Sequence, residues 1–320
     1  MSEFIRAQSD VDLFDEAEYL LANPDVGEAV RRGDISSGLE HYSRWGKYEH
    51  RTIVRFDRPL LRGLDVSRLR GAEIGALCRP IVKKEDGEIF YVDYADQQFL
   101  KQRYQNDPAV DVDAIVAVDA VWGERSLSEA LNETSTLDYV LASHVIEHVP
   151  DLVTWLQEIN EILKPDGTLR LAIPDKRYCF DFLRVETGLP DILDAYIRKA
   201  RAPTPRAILD FCLNMRDVDT EALWEGSVQI ESLRAPYTPE DAMGIARDAL
   251  TGNYHDVHCW AFTPSSFRNL MSELCRLGLI TLGCDFVIST QRGSLEFFVS
   301  LSKKADAKAA YESWIDKSAA

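Results

Sequence analysis

Residues 69–96 read LRGAEIGALCRPIVKKEDGEIFYVDYAD, and the fold is decided in this stretch. A short apolar approach ends in Glu73-Ile74-Gly75-Ala76-Leu77. A loop carrying Arg79-Pro80 follows, and a second apolar run, Ile89-Phe90-Tyr91-Val92, ends at Asp93. Strand, glycine turn, crossover, strand and terminal acid make the first half of a nucleotide-binding βαβ unit. There the glycine lets backbone approach a ligand, and the acid accepts hydrogen bonds from ribose hydroxyls. A dinucleotide fingerprint has three turn glycines where this stretch has one, which disfavours NAD. Alone, the pattern also fits an ordinary turn followed by an exposed aspartate.

Residues 137–175, LDYVLASHVIEHVPDLVTWLQEINEILKPDGTLRLAIPD, add a second set of landmarks downstream. The matching positions are Glu73 and Gly75, Asp93, Asp119-Ala120, Ser143-His144-Val145-Ile146-Glu147-His148-Val149, and Leu163-Lys164-Pro165-Asp166-Gly167-Thr168-Leu169. In this order and spacing the chain, over roughly residues 65–175, resembles the class I S-adenosylmethionine-dependent methyltransferases of the small-molecule branch. It is most similar to those encoded among bacterial surface-polysaccharide genes, with EIGAL-type first motifs and AIPDKRY after the fifth strand. The resemblance implies an α/β, Rossmann-like sheet of seven strands whose last hairpin is antiparallel. It also implies an inserted helical cap, with a small N-terminal helical module outside the family fold.

The totals agree with a soluble enzyme of this kind. A chain of 320 residues, 46% hydrophobic, accommodates one large α/β domain and an appendage. A net charge of −17 argues against nucleic-acid substrates, which need concentrated Lys and Arg. No apolar run approaches the ~20 residues of a membrane span. The opening MSEFIRAQSD lacks the regions of a signal peptide, so a cytoplasmic location is expected. Six scattered cysteines without a CxxC pair suggest reduced, mostly buried thiols, with Cys78 a packing residue in the proposed cofactor loop.

Residues 1–55 are assigned to the N-terminal module and 56–320 to the methyltransferase domain. Within 12–51, Phe14, Ala17, Leu20 and Leu21 fall at helical spacing, Asn23-Pro24-Asp25 restarts the chain and Gly33 ends a second helix. Leu39, Tyr42 and Trp45 are expected on the apolar face of a third. The pattern resembles a module, FDEAxYLxxNPDV then HYxxxGxxExR, of bacterial surface-associated and polysaccharide-processing proteins. Forty residues bury little core alone, so docking on the main domain, a partner or a second copy in a homodimer is expected. His41 and His50 read as structural. In the connector, Arg55-Phe56-Asp57-Arg58-Pro59 is a candidate lid over the cofactor.

Further on, 97–104 read as a helix and 115–118 as the third strand, with Asp119 at its carboxyl end. The fourth strand, 137–142, lies across the topological switch from the first, where such sheets bind ligands. Residues 151–163 form an amphipathic helix, and 168–173 the fifth strand. Residues 176–262 are too long for one connection and read as the acceptor-binding cap, with helices near 192–200, 207–212 and 239–250. Thr263 caps a helix to about 277, with Pro264 at its first position. Residues 279–290 and 295–303, joined by Gln291-Arg292-Gly293-Ser294, read as the closing hairpin. The tail from 304 reads as a frayed or weakly docked helix.

The resemblance assigns Glu73 to the methionine ammonium, Gly75 and Ala76 to close backbone approach, and Asp93 to the ribose diol. Asp119 and Ala120 fall to the adenine, although Asp119 also suits a helix cap, and Ser143 and His144 face the methyl group. Ala76, Leu77 and Cys78 stand where many relatives carry glycine or small polar residues, which narrows the site. If the acceptor is a sugar hydroxyl, its high pKa requires a base, and His255, His258 and His144 are the candidates. Mg²⁺ bound by Asp and His residues is the open alternative. His144 and His148 would share a face on a continuous helix, but Pro150 breaks the segment and no HExxH is present, so no metal ligand is assigned. Arg177, Tyr178 and Trp260 are candidate acceptor contacts. The expected activity is methyl transfer to a hydroxyl of a sugar or surface-glycan precursor. The alternatives are a small-metabolite methyltransferase and a non-catalytic methyltransferase-fold scaffold in a polysaccharide assembly complex.

Overall fold

The computed structural model describes residues 14, 16–49, 51, 59–123, 125–132 and 134–315. The proposed lid over 55–58 and His50 lie outside them, as do the side chains of Ala17 and Leu21. Seven strands form one sheet: β1 (Arg70–Ile74), β2 (Glu88–Asp93), β3 (Ala120–Val121), β4 (Leu137–Ser143), β5 (Leu163–Pro174), β6 (Leu282–Ile288) and β7 (Glu296–Lys303). Their order is β3-β2-β1-β4-β5-β7-β6, with β7 antiparallel to both neighbours and the other pairings parallel. This is the seven-stranded arrangement that the resemblance implied. The order in which strands are added reverses between the parallel β1 and β4, so their carboxyl ends flank the crevice where ligands bind in open α/β sheets.

The two faces of the sheet are covered differently. Ala72, Ile74, Val140 and Ala142 point toward one face, where the helices Leu152–Ile162, Pro264–Arg276 and Ala307–Ile315 bury Trp155, Phe267 and Trp314. Tyr139, Leu141, Tyr91 and Phe298 point to the other, which is covered by irregular chain carrying Leu60 and Val82. Strand alternation thus sends Glu73 toward loops instead of helices. At Gly71 the sheet leaves no room for a side chain, because a Cβ there would run into the Tyr139 ring.

Four expectations need correction. The β1–β2 crossover, 75–87, contains no helix. Thirteen residues containing Pro80 leave little room for one, and the Glu73 carboxylate captures the N–H groups of Ile81 and Val82 that a helix would use. The third strand is Ala120–Val121, not 115–118. The Val116 N–H is bonded to Leu77 O outside the sheet, and pairing begins only with Ala120 on Val92. The tail helix Ala307–Ile315 is firmly docked. Ala310 and Trp314, one turn apart, are buried, and the Trp314 indole donates to Leu282 O at 3.0 Å. In the N-terminal module Tyr42 is buried with Tyr19 and Val26, while Leu39 and Trp45 are exposed. The short helix Gly38–His41 runs into a π-turn, Tyr42–Gly46, which rotates Trp45 off the expected stripe.

Other boundaries agree closely. The helix Gln97–Tyr104 is capped by Asp96, and Leu152–Ile162 by Asp151. Thr263 caps Pro264–Arg276 by accepting from the Ser266 N–H. The cap holds helices Leu189–Arg198, Pro205–Asn214 and Pro239–Ala249, plus a short Thr220–Glu225 absent from the sequence reading. Among the described residues no helix is long and apolar enough to cross a membrane.

Candidate active site at the carboxyl edge of the sheet

β1 delivers Gly75 in the left-handed region, φ 74°, immediately past its end. A Cβ there would lie 2.9 Å from Val145 Cγ2, so the turn approaches the chain leaving β4 as only glycine allows without strain. Ala76 is buried beneath it. β2 ends in Asp93, buried, whose Oδ1 accepts from the Tyr94 N–H at 2.8 Å. Burial pushes its carboxyl up to about 6. These two features fit the ribose and amino-acid portion of S-adenosylmethionine: a cradle that a side chain would fill, and an under-bonded acceptor for a diol.

Glu73 is otherwise engaged. Its oxygens accept from the Ile81 N–H at 2.9 and 3.0 Å and from the Val82 N–H at 3.2 Å, and burial raises it to about 7. These bonds tie the end of β1 to the loop that follows it. Asp119 precedes β3 instead of ending it. Its carboxylate accepts from the Tyr91 N–H at 2.8 Å and pairs with Lys84 at 2.5 Å, while Ala120 pairs with Val92.

β4 ends at Ser143, which lines a cavity with Leu60, Ile81, Ala172 and Glu296. His144 follows at φ 53°, a conformation disfavoured for a residue with a side chain and found at functional sites. Its Nε2 lies 2.6 Å from Glu296 Oε2. Burial pulls its pKa down, but the Glu296 bond and the nearby Glu147 carboxylate outweigh burial and raise it above the usual histidine value.

Three further histidines, His255, His258 and His148, occupy three settings. His255 Nε2 pairs with Asp248 at 2.7 Å, at the end of the last cap helix. His258 is buried, with Nδ1 2.5 Å from Asp181 Oδ2. His148, absent from the predicted bases, pairs through Nδ1 with Asp256 at 2.8 Å. Burial acts to lower the His148 pKa, but the Asp256 bond and Glu147 raise it overall. Its partner Asp256 stays low despite burial, as does Asp181 beside His258 and Arg184. The rings of His148 and His258 meet edge to face at 4.6 Å. Thus Asp256, two residues from His258 in sequence, serves His148 instead.

Of the predicted acceptor contacts, Trp260 is excluded. It is buried, with its indole N–H donated to Val149 O at 2.7 Å. Arg177 makes a two-pronged pair with buried Asp175, at 2.9 and 2.6 Å. Tyr178 stacks on Trp224 at 3.7 Å, forming an aromatic pair at the cap. Sequence reasoning gave no site role to Glu147, although its motif was quoted, and did not single out Asp181 or Arg184. Asp181 and Arg184 are three apart and pair at 3.0 Å, a local signal that was available. Their link to His258, 77 residues away in sequence, was not.

Comparison with known proteins adds a family match. Residues 70–169, spanning β1 into β5, match the model of a methyltransferase domain. Over 52 residues the chain is 46% identical to the mitochondrial ubiquinone biosynthesis O-methyltransferase of Bos taurus, covering 16% of this chain and 14% of that protein. Among solved structures it is similar to an S-adenosylmethionine-dependent methyltransferase from Mesorhizobium loti. That likeness has TM-score 0.38 and 13% identity, over 77% of this chain and 96% of that one. A Rhodobacter sphaeroides protein named as a Zn-dependent alcohol dehydrogenase gives TM-score 0.43 and 14% identity, over 78% and 89%. Likenesses this distant carry no weight beside the strand order.

Proposed function

We propose, from the premise that residues 70–169 form a class I S-adenosylmethionine-dependent methyltransferase domain, that the chain methylates a hydroxyl of a small acceptor, a sugar or glycan precursor. The observation that carries this reading is the convergence at one sheet edge of Gly75, Asp93 and Ser143 with His144 and His148, two carboxylate-held imidazoles. The cofactor supplies an electrophilic methyl group on a sulfonium. Asp93 would hold the ribose, and the Gly75 turn would receive the amino-acid portion. The acceptor hydroxyl needs a group to take its proton. A histidine backed by a carboxylate suits that step, worth roughly 10²–10⁴-fold. His144 is favoured for it by its place directly after β4, with Glu296 behind it. Support for a sugar-like acceptor comes from the cap, where Tyr178 stacks on Trp224 and Arg177 lies over the Tyr178 ring, groups of the kind that sugars and their phosphates meet. The acidic net charge speaks against nucleic acid.

Calorimetric titration with S-adenosylhomocysteine tests this reading. Micromolar binding, weakened at least about 100-fold (roughly 3 kcal/mol) in Asp93→Ala, is expected. A folded wild-type chain that does not bind would overturn it. With binding established, nucleotide sugars and glycans are the acceptors to screen.

A further inference from the structure

Glu147, His148 and His258 each bring one ligand atom to a common point, all within 4.8 Å of one another. Two independent observations make this more than a crowding of polar groups. The first is the state of Glu147. Its side chain is fully buried, and among the described residues neither carboxylate oxygen has a hydrogen-bond partner. The nearest imidazole nitrogens, His144 Nδ1 at 3.6 Å and His258 Nε2 at 4.0 Å, are too far to make one. A buried carboxylate is retained in that condition only at a large cost, unless something positive completes its surroundings.

The second observation is how the two histidines are held. Each uses Nδ1 on a carboxylate: His148 on Asp256 at 2.8 Å, His258 on Asp181 at 2.5 Å. Asp181 is fixed in turn by buried Arg184, which also reaches Asp210 at 2.8 Å. An imidazole that donates Nδ1–H to a carboxylate carries its lone pair on Nε2. Among the described residues His258 Nε2 has only Glu147, at 4.0 Å, beyond hydrogen-bond distance. Carboxylate behind imidazole is the outer support that metal-binding histidines ordinarily have. The backbone holds the two segments together, since Cys259 N–H and Trp260 N–H both donate to Glu147 O.

We propose that Glu147, His148 and His258 bind one divalent transition-metal ion, with His148 and His258 as Nε2 ligands and Glu147 as the carboxylate ligand. Two imidazoles and one carboxylate suit Zn²⁺, Co²⁺ or Fe²⁺, whereas Mg²⁺ prefers an all-oxygen shell. Drawing the ligand atoms onto an ion takes side-chain movement on the order of 1 Å. Three protein ligands leave coordination positions open, as in catalytic and not structural sites. In the methyltransferase reading, on which this role rests, the open positions would take an acceptor oxygen and orient it. The ion-binding site itself does not depend on that reading.

The test uses the full chain, stripped with a chelator and titrated with Co²⁺, whose visible bands report its ligands. One equivalent is expected to bind, with d–d bands of a mixed nitrogen and oxygen site. Affinity should fall at least 100-fold in Glu147→Gln and in His258→Ala and stay within threefold in His255→Gln. Near-UV circular dichroism checks that each variant is folded, and the near-isosteric Glu147→Gln keeps the test decisive should His258→Ala unfold. A folded wild-type chain that takes up neither Co²⁺ nor Zn²⁺ overturns the proposal, as does uptake unchanged in Glu147→Gln. Binding of S-adenosylhomocysteine without metal uptake would sink the metal site alone. Metal uptake without S-adenosylhomocysteine binding would sink the methyltransferase reading and leave the site standing.

Discussion

Two buried glutamates flank the same crevice and are opposites in every other respect. Glu73, on β1, spends its oxygens on two backbone N–H groups of the loop that follows. The Glu147 carboxylate, in the segment after β4, has no hydrogen-bond partner among the described residues although it is entirely shielded. The first is a structural clamp, and its burial is compensated. The second is held in place by its backbone, with imidazoles nearby but none within hydrogen-bond distance of its carboxylate. Burial of a carboxylate therefore says little about function until its partners are counted.

The comparison breaks most visibly in stability. At pH 6 Glu73→Leu leaves the Ile81 and Val82 N–H groups without acceptors and should destabilise the chain by about 2–4 kcal/mol. Glu147→Leu, measured in chelator, removes a buried polar group without a hydrogen-bond partner among the described residues and should cost under about 1 kcal/mol or stabilise. Urea unfolding of both variants decides it, and equal losses would erase the distinction. The acid–base behaviour of Glu73 sharpens the same point. Its folded pKa of about 7 stands above its unfolded value of 4.5. A raised carboxyl contributes its stability fully below pH 4.5 and loses it as pH rises through 7, at most about 3 kcal/mol. The stability difference between wild type and Glu73→Gln should follow that curve, and a difference flat from pH 5 to 8 would refute it.

A smaller effect belongs to the turn that Glu73 holds. Gly75→Ala places a side chain at positive φ against Val145, which should cost about 1–2 kcal/mol of stability. It should also weaken S-adenosylhomocysteine binding more than tenfold by calorimetry. Gly75→Ala binding like wild type would remove the turn from the cofactor site.

Much of this architecture was legible in the sequence because its determinants are local. Thr263-Pro264 announces a helix start, and Gln291-Arg292-Gly293-Ser294 a turn between two apolar runs, and both are where they were expected. Asp93 ends β2 as its position after Ile89-Phe90-Tyr91-Val92 implied. The run Ile115-Val116-Ala117-Val118 misled because an apolar tetrapeptide can cover a sheet as readily as extend it, and Val116 bonds to Leu77 outside the ladder. The tail misled through its alanines and charges. The i,i+4 pair Ala310 and Trp314 held the docking signal. The places of Gly75 and Asp93 were readable because motif and strand end coincide there. The histidine cluster was not, because His148 and His258 are completed by Asp256 and Asp181, 108 and 77 residues away along the chain. No spacing rule reaches that far.

Asp93 is intermediate between the two glutamates, and the mildest prediction concerns it. It is buried, with one neighbouring N–H as partner, and its free-protein pKa is raised by burial to about 6. Ribose hydroxyls donate to a carboxylate far better than to a carboxylic acid, so the bound state favours the ionised form and lowers that pKa. Binding below pH 6 must then expel a proton, and affinity should fall by about tenfold for each further unit of pH. S-adenosylhomocysteine affinity should thus be flat from pH 8 to 6.5 and about tenfold weaker at pH 5. Asp93→Asn should bind more weakly throughout and without the slope. A slope surviving in Asp93→Asn would assign the titration to another group at this edge, with His144 first to be examined. No slope in wild type would mean that Asp93 is already ionised, and that the crevice solvates it better than its single N–H partner implies.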